Sequence, residues 1–376
     1  DGSFRPVNRS YKMALPGDEH IELASMCVID LTSGHIVHCD RPPTAASNSG
    51  FMECGAVRWG TDNCVYYVEW TRDRQIYRLI SFDPKNVTSR VLVEEKGQGI
   101  LDPGPVPVFG PMIFEILADC NEFIWYSHRS GWGHLYRYDL GTGRLKNPIT
   151  QGEYAVTDIH QIDSEKNCLY FTACGREPER DPYYEHLYRV NLDGSDLVPL
   201  TPEASQHDIA KSMFSASDVR GLSPNGKVFV ETQSRVDQPP RTVLRSTADG
   251  AKLMTLAQCE VATLAAETPF TVPQAFTVKA ADGMTDLWGV LIRPSDFDET
   301  RHYPVILTIY GTPHTFITAK RFAETDQIKQ HPYFSLAELG FIVVTLDPRG
   351  TPLRSKAFHD MAYGNLQNGG GIDDQV

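Results

Sequence analysis

The chain repeats an aspartate-containing turn at a nearly constant spacing. The segments "VIDLTSG", "SFDPKN", "RYDLGTG", "NLDGSD" and "TADGAK" place these aspartates at Asp30, Asp83, Asp139, Asp193 and Asp249. Successive aspartates are separated by 53, 56, 54 and 56 residues. Self-similarity at a period of several tens of residues indicates a repeat architecture in which each unit is one supersecondary element. The repeat therefore restricts the possible folds more strongly than any single motif in the sequence.

Strand-like segments accompany these turns in a fixed order. Four of the turns follow "IYRLI", "LYRYD", "LYRVN" and "VLRST", and further upstream lie "CVYYVEW", "EFIWYSH", "CLYFTA" and "KVFVET". Such apolar, aromatic and β-branched runs are typical of strands. Four antiparallel strands repeated along a chain describe β-propeller blades. We predict a β-propeller of about five blades over residues 1–265, and the periodicity leaves open whether five units close a ring or belong to a larger one.

The pattern changes near residue 266, and a second domain is predicted over 266–376. A hairpin is expected around Asp282-Gly283, because Asp-Gly favours a tight turn. The runs "YPVILTIYG" and "FIVVTLDPRG" look like strands buried on both faces, and "FAETDQIKQHPYFSLAELG" between them carries helical signals. A strand–helix–strand order predicts a parallel sheet covered by helices, as in α/β folds.

Composition limits the partners and cofactors. The net charge is −13 and no Lys/Arg run stands out, which argues against nucleic acid or an anionic membrane as the main partner. There is no apolar run near the roughly 18 residues that indicate a membrane-spanning helix. The eight cysteines form no C-x-x-C pair, so no zinc site is predicted. "GQGILD" does not fit G-x-G-x-x-G, and neither a cofactor nor a metal is predicted.

Two features of the repeats have structural interpretations. His134 in "GWGHLYRYD" and His186 in "YYEHLYRV" occupy equivalent places in two units, which predicts a structural role within the blade. The charged segment "REPERDPYYEH" is interpreted as a solvated insertion. The alternative for that segment is an entrance or an assembly contact.

Several segments together resemble a known family. These are "YPVILTIYGTPHT", "GFIVVTLDPRGT", "FHDMAYGN" and "IDDQV", with "SGWGHLYRYD" and "SPNGKVFVETQSRVDQPP" in the repeats. They are similar to the dipeptidyl peptidase IV branch of the prolyl oligopeptidase family of serine peptidases. The resemblance implies an eight-bladed propeller that caps an α/β-hydrolase domain. It also implies a Ser/Asp/His triad that cleaves after an N-terminal dipeptide with Pro or Ala second.

The nucleophile expected from this resemblance is not found in the sequence. A hydrolase serine sits in G-x-S-x-G at a strand-to-helix turn, and that motif is absent; "GLSPNG" around Ser223 has the wrong spacing. We therefore interpret the chain as an internal part of a longer peptidase, inactive alone. The resemblance matches Tyr310 in "IYGTPHT" to the residue whose hydroxyl stabilises the oxyanion. The alternative is a strand-end aromatic, and Thr312 stands where the family usually has Gly.

Other acidic residues receive structural interpretations. Asp347 and Arg349 in "DPRGT" are predicted to hold the sheet edge by charge-assisted hydrogen bonds, and Asp374 is predicted to be a helix-start acid. The family binds the substrate amine with a glutamate pair, but Glu94-Glu95 lies in a different context and is interpreted as solvated. The substrate-binding residues are unknown from the sequence.

Three hypotheses for the function remain open. The first is a serine exopeptidase acting on peptides with a free N-terminus. The second is a non-catalytic propeller–hydrolase scaffold, and the third is an acylaminoacyl-peptidase or oligopeptidase of the same superfamily, since fold alone does not decide function. A homodimer is an open alternative implied by the resemblance. The compartment also stays open, because the family has secreted, periplasmic, membrane-anchored and cytosolic members; a secreted or periplasmic location is favoured over a cytoplasmic one.

Overall fold

The computed structural model describes most of the chain in two compact units, Asp1–Leu101 and Asp102–Val376. The described residues are 8, 10, 14–15, 17–45, 57–102, 104–106, 112–209, 221–268, 270–309, 315–322, 333–365 and 371–375. None of the helices within these ranges is long and apolar enough to cross a membrane.

The first unit contains two short ladders and one antiparallel sheet. Strand β1 (Leu23–Ala24) pairs with β4 (Thr44–Ala45), and β2 (Cys27–Ile29) pairs with β3 (Ile36–His38). The sheet has the order β5-β6-β7-β8, formed by β5 (Val57–Trp59), β6 (Val65–Trp70), β7 (Ile76–Asp83) and β8 (Thr88–Lys96). The β2–β3 hairpin packs on the sheet through an apolar cluster of Cys39, Val65, Tyr67, Ile80 and Phe82, joined by Met26, Val28 and Val37.

The second unit begins with three antiparallel sheets of four strands each. The strands of the first sheet are β9 (Phe114–Leu117), β10 (Glu122–Ser127), β11 (His134–Asp139) and β12 (Leu145–Pro148). The second consists of β13 (Ala155–Asp163), β14 (Cys168–Cys174), β15 (Glu185–Asn191) and β16 (Val198–Pro199). The third consists of β17 (Gln206–Ile209), β18 (Val228–Arg235), β19 (Gln238–Ser246) and β20 (Lys252–Gln258). Each sheet pairs its strands in chain order, as a blade of a propeller does.

The aspartate turns that revealed the repeat lie at one structural position. Asp83, Asp139, Asp193 and Asp249 each join the third and fourth strands of a sheet, and Asp30 joins β2 to β3. Each carboxylate accepts a backbone N–H two or three residues further on, at 2.7–3.1 Å. An aspartate in this position forms the turn with its own side chain. Four predicted units are thus complete sheets, and the Asp30 unit is represented by the β2–β3 hairpin in the described residues.

Neighbouring sheets of the second unit bury apolar side chains against one another. One cluster joins the β9–β12 sheet to the β13–β16 sheet through fully buried residues such as Ile124, Tyr126, Phe171 and Tyr188. A second joins the β13–β16 sheet to the β17–β20 sheet. Burial of a large side chain contributes roughly 1.5–3 kcal/mol, so contacts between sheets account for much of the stability of the repeats.

The equivalent histidines make similar hydrogen bonds in two sheets, in agreement with the structural role predicted for them. In the β9–β12 sheet, His134 Nδ1 lies 3.0 Å from Thr150 Oγ1, which also accepts the Leu135 N–H. In the next sheet, His186 Nδ1 donates to the Thr201 carbonyl oxygen at 2.8 Å, and Thr201 Oγ1 accepts the Leu187 N–H. In each sheet these hydrogen bonds connect the third strand, β11 or β15, to the residues that follow the fourth strand. The histidines therefore have a structural role.

Protonation of His186 is expected to destabilise the protein as the pH falls. His186 is 2% exposed, and burial, reinforced by His207 nearby, lowers the pKa of its imidazole from 6.5 to about 4. His186 is therefore protonated below about pH 6.5 in the unfolded chain but only below about pH 4 in the folded chain. At about 1.4 kcal/mol per pH unit, roughly 3 kcal/mol of stability is lost across this window.

The check is urea denaturation at several pH values between 7 and 4, compared with His186→Gln. Gln keeps a donor for the Thr201 carbonyl and does not titrate, so the variant should lose less stability on acidification. Equal losses in both proteins would show that His186 does not carry this pH dependence.

The remaining sheet is mixed and has the order β21-β22-β24-β23. Its strands are β21 (Gln274–Lys279), β22 (Asp286–Ile292), β23 (Val305–Thr308) and β24 (Ile342–Leu346). The predicted hairpin is present: β21 and β22 are antiparallel, and Asp282 Oδ1 accepts the Met284 and Thr285 N–H groups. Strands β23 and β24 are parallel, which agrees with the predicted strand–helix–strand unit.

Short helices accompany this sheet: α1 (Ala262–Glu267), α2 (Tyr333–Glu338) and α3 (Lys356–Asp360), with a 3₁₀ helix at Ile372–Asp374; another 3₁₀ helix, Ala118–Cys120, lies between β9 and β10. Helix α2 lies in the crossover between the parallel strands. Its buried residues Tyr333 and Ala337 pack on Val290, Ile292 and Val343. The Ser355 side chain caps α3 by accepting the Phe358 N–H, which explains where this helix begins.

Candidate functional site

The carboxyl ends of the parallel strands β23 and β24 define the candidate site. Thr308 and Thr345 are partners near these ends, and in open α/β sheets ligands bind outside the carboxyl ends of the strands. Tyr310 follows β23 by two residues and lies outside the described residues, as does Thr312. The oxyanion role of Tyr310 therefore stays a prediction, and the site is built from the residues that surround this edge.

Asp347 follows β24 and anchors the segment 315–322. Asp347 is 1% exposed, and its carboxylate accepts the N–H groups of Ile317 at 2.7 Å and Thr318 at 3.2 Å. Burial raises the pKa of Asp347, whereas the charge of Lys320 and the two N–H donors oppose that rise. The predicted edge-holding role of Asp347 fits this geometry, since its carboxylate fastens a neighbouring segment to the end of a strand.

Arg349 makes a second anchor at the same edge. Its guanidinium forks onto Asp374, with Nη2–Oδ1 2.8 Å and Nε–Oδ2 3.0 Å, and reaches Asp282 Oδ2 at 2.9 Å. Burial alone would raise the pKa of Asp374, but the hydrogen bonds from Arg349 outweigh it and the pKa is lowered. Asp374 lies in the first turn of a 3₁₀ helix, as predicted for a helix-start acid. Its carboxylate, however, accepts hydrogen bonds from Arg349 and from the Ala281 N–H rather than from the N–H groups of the helix.

The segment 175–184 between β14 and β15 packs against the α/β part. Tyr183 is 1% exposed; its ring stacks on Phe316 at 5.5 Å and its hydroxyl lies 3.2 Å from Thr351 Oγ1. Asp181 pairs with Lys320, Oδ2–Nζ 2.7 Å, and the Lys320 side chain is 2% exposed. The interpretation of "REPERDPYYEH" as a solvated insertion is therefore wrong for Asp181 and Tyr183, because this segment is covered by residues more than a hundred positions away.

A second contact joins the β17–β20 sheet to the same segment. The guanidinium of Arg321 forks onto Asp208 of β17, with Nε–Oδ2 2.6 Å and Nη2–Oδ1 2.5 Å. The next residue, Phe322, donates its N–H to Ser234 Oγ of β18 at 3.0 Å. Segment 315–322 is thus held by two sheets of the repeat region as well as by Asp347.

Two further contacts cross between the repeats and the α/β part. The thiol of Cys174 lies 3.4 Å from the Leu353 carbonyl oxygen, and burial raises the pKa of that thiol. The Lys356 N–H donates to the Gly131 carbonyl oxygen at 2.8 Å. A buried thiol with a raised pKa is a poor nucleophile, so Cys174 is structural. Every cysteine in the described part of the chain is free.

In the described residues one cluster has the composition of a cation site: Glu203, His207 and Glu231. The Arg245 guanidinium lies among them; it donates to Glu203 Oε1 at 2.6 Å and to Glu231 Oε1, while His207 Nδ1 lies 2.5 Å from Glu231 Oε2. Burial would raise the pKa of Glu203, but its hydrogen bond with Arg245 lowers it. Because both carboxylates already face a buried cation, the cluster is a structural ion network.

The first of the two adjacent glutamates on β8, Glu94, pairs with basic side chains of the same sheet. The Glu94 carboxylate pairs with Arg78 at 2.6 Å and with Lys96 at 2.8 Å, and its side chain is 33% exposed. This pairing on a sheet surface agrees with the solvated interpretation of Glu94.

Sequence inspection missed Asp181, Tyr183, Asp208, Lys320 and Arg321 as site residues. The available signals were weak: charged residues beside aromatics in "DPYYEH", and a basic pair in "AKRF" directly after "PHTFIT". Neither pattern shows which distant residue each charged side chain pairs with; Asp181 and Lys320, for example, are 139 positions apart.

Comparison with known proteins gives one consistent picture. The family model for the dipeptidyl peptidase IV N-terminal region matches residues 2–240. Dipeptidyl-aminopeptidase B of Aspergillus niger is 26% identical over 318 residues, which cover 82% of this chain and 33% of that protein. Dipeptidyl peptidase 4 of Trichophyton equinum is 26% identical over 326 residues, 84% of this chain and 39% of that protein. The chain thus spans a third or slightly more of these relatives.

A solved structure shares the fold. A Bacteroides ovatus protein assigned as a dipeptidyl aminopeptidase IV superposes with a TM-score of 0.74 at 22% identity. The superposition covers 94% of this chain and 48% of that one. The sheets and the α/β segment described above therefore recur together in a second protein.

Proposed function

The chain belongs to the dipeptidyl peptidase IV family, and from this premise we propose that the protein carrying it is a serine exopeptidase releasing N-terminal dipeptides. The observation that carries the proposal is the match of the family's N-terminal region over residues 2–240, followed by a parallel strand pair whose carboxyl edge faces the repeats. The proposed substrates are peptides with a free N-terminus and Pro or Ala in second position.

The proposed mechanism is acyl transfer through a covalent acyl-enzyme. A serine attacks the carbonyl after the second residue, a histidine takes its proton, and an aspartate orients the histidine. We assign the oxyanion contact to the Tyr310 hydroxyl, because a donor beyond the carboxyl end of a strand is well placed to meet developing charge. The 376 residues contain no G-x-S-x-G, so activity is proposed for the protein that carries this chain together with such a segment, and the chain by itself is proposed to be inactive.

The described residues support this mechanism by holding the edge of the sheet. Asp347 and the contacts from the repeats fix segment 315–322, which begins five residues after Tyr310. Arg349 fixes residues 371–375 through Asp374. A preorganised edge reduces the reorganisation needed when charge develops in the transition state.

The test compares free and blocked substrates in the full-length protein. Glycyl-prolyl-p-nitroanilide should be cleaved, its N-succinyl form should not, and a peptidyl phosphonate should label one serine. Cleavage of the blocked form would instead indicate an oligopeptidase, and selective cleavage of N-acetyl amino acid anilides an acylaminoacyl-peptidase. Absence of both cleavage and labelling in folded protein would indicate a non-catalytic scaffold. The 376-residue chain alone is the negative control.

A further inference from the structure

Strand β20 (Lys252–Gln258) presents an apolar edge to the outside of the molecule. It is the last strand of its sheet, and within the described part of the chain the sheet continues only on its β19 side. All seven of its residues are exposed. Three of them are large and apolar: Leu253, Met254 and Leu256 are 54%, 51% and 47% exposed. A long apolar strand at a sheet edge favours pairing with another strand.

The fourth strands of the other sheets are protected against such pairing. Strand β8 carries four charged residues. Strands β12 and β16 are four and two residues long, and each ends in a proline. Charge, proline and short length are the usual features that keep an edge strand from associating. Strand β20 has seven residues, no proline and a single charge, on Lys252, so the protection seen in the other three sheets is missing here.

The sequence of β20, "KLMTLAQ", is complementary to itself in the antiparallel direction. With a two-fold axis at Thr255, Met254 faces Leu256 of a second copy. Leu253 then faces Ala257, and Lys252 faces Gln258, so no like charges are opposed. Apolar side chains directly opposite each other stabilise a strand pair, whereas like charges destabilise it. A parallel pair in register would oppose Lys252 with its own copy, so the pattern favours the antiparallel arrangement.

We propose that β20 is a homodimer interface, in which two copies of the protein pair their β20 strands antiparallel around Thr255 and join two sheets into one. Both copies use the same surface, as a closed two-fold dimer requires. A pair of seven-residue strands is smaller than the roughly 800 Å² per partner of a standard interface. Monomer and dimer should therefore interconvert at micromolar protein concentration. The inference goes beyond the proposed peptidase activity and does not depend on it.

The first experiment places a cysteine on the proposed two-fold axis of the full-length protein. Cys120→Ser and Cys259→Ser remove the exposed thiols of the described residues. In that background, Thr255→Cys should be joined to its own copy by a short bis-methanethiosulfonate cross-linker, because directly opposed Cβ atoms lie about 4.5–5.5 Å apart. Lys252→Cys is the matched control: its two copies would be about 20 Å apart along the strand pair, so this variant should not cross-link.

The second experiment exchanges the apolar contact for a charged one and follows the dimer by sedimentation velocity. Met254→Lys and Leu256→Glu should each weaken the dimer about 10- to 100-fold, because each substitution enters a two-fold interface twice. A mixture of the two variants should regain the dimer, since the ammonium of one copy then faces the carboxylate of the other. Val91→Lys is the control, since Val91 is also exposed, at 41%, but on β8.

Four results would overturn the inference: a dimer that Met254→Lys does not weaken, a mixture that stays monomeric, cross-linking of Lys252→Cys as efficient as that of Thr255→Cys, or a wild-type protein that is monomeric at every concentration. A Thr255→Cys thiol that does not react with a maleimide in monomeric protein would also overturn it, because another segment of the same polypeptide would then cover β20. None of these measurements uses peptidase activity, so their failure leaves the proposed function standing.

Discussion

Arg245→Met is expected to lower the free energy of unfolding by about 3–5 kcal/mol, because it leaves the fully buried Glu231 carboxylate without its guanidinium partner. The Arg245 side chain is 3% exposed and that of Glu231 is fully buried. Arg245 donates to Glu231, to Glu203 at 2.6 Å and to the Gly250 carbonyl oxygen at 2.9 Å. Met fills a similar volume but supplies no donor, so Glu231 Oε1, Glu203 Oε1 and the Gly250 carbonyl oxygen lose the guanidinium, while His207 remains beside Glu231 Oε2.

The measurement is urea denaturation followed by a probe of the repeat region, at constant pH. Arg235→Met is the matched control, since Arg235 lies at the end of β18 in the same sheet and pairs with Asp237 at 2.6 Å. Both of those side chains are about 40% exposed. Exposed pairs contribute at most about 1 kcal/mol, so this control should remain near wild type.

A second variant separates lost charge pairing from lost packing. Glu231→Gln combined with Arg245→Met removes both charges and should recover part of the stability lost in the single variant, because no carboxylate remains at the fully buried position. If the double variant is no more stable than Arg245→Met, the loss comes from packing and the electrostatic explanation is wrong.

The repeat could be predicted because its signals are local. Each turn aspartate bonds to backbone two or three residues away, so the pattern that marks it in the sequence is the pattern that forms the turn. The hairpin around Asp282 and the parallel pair of β23 and β24 were predictable for the same reason: turn chemistry and continuous apolar runs are both short-range features.

The contacts around the site could not be predicted, because they join distant segments. Asp181 and Tyr183 lie in a charged stretch whose composition is typical of a solvated loop, yet Lys320, Phe316 and Thr351 bury them. Composition reports the average environment of a segment, whereas the Asp181 carboxylate is paired with a lysine 139 positions away. The sequence identified Asp347 and Arg349 as edge residues but not the groups that they hold.

Tyr310→Phe is expected to reduce kcat of the full-length protein by about 10²- to 10³-fold, which is the usual effect of removing one oxyanion donor. The phenol would donate its hydrogen bond to charge that exists only in the tetrahedral intermediate, so KM should change little. Tyr303→Phe is the matched control: Tyr303 lies shortly before β23, and its hydroxyl accepts the Asp298 N–H at 2.9 Å rather than facing the sheet edge.

The two outcomes separate the hypotheses for Tyr310. A large fall in kcat with unchanged KM, together with a wild-type Tyr303→Phe, supports the oxyanion role, because loss of a structural hydroxyl would lower stability without selecting the transition state. An unchanged kcat would make Tyr310 a strand-end aromatic, and the oxyanion would then need another donor, such as a backbone N–H beside the nucleophile.

Thr312, which stands where the family usually has glycine, provides a further test. A β-branched residue restricts the backbone near it. If the Tyr310 hydroxyl is the donor, Thr312→Gly should therefore leave kcat at or above the wild-type value.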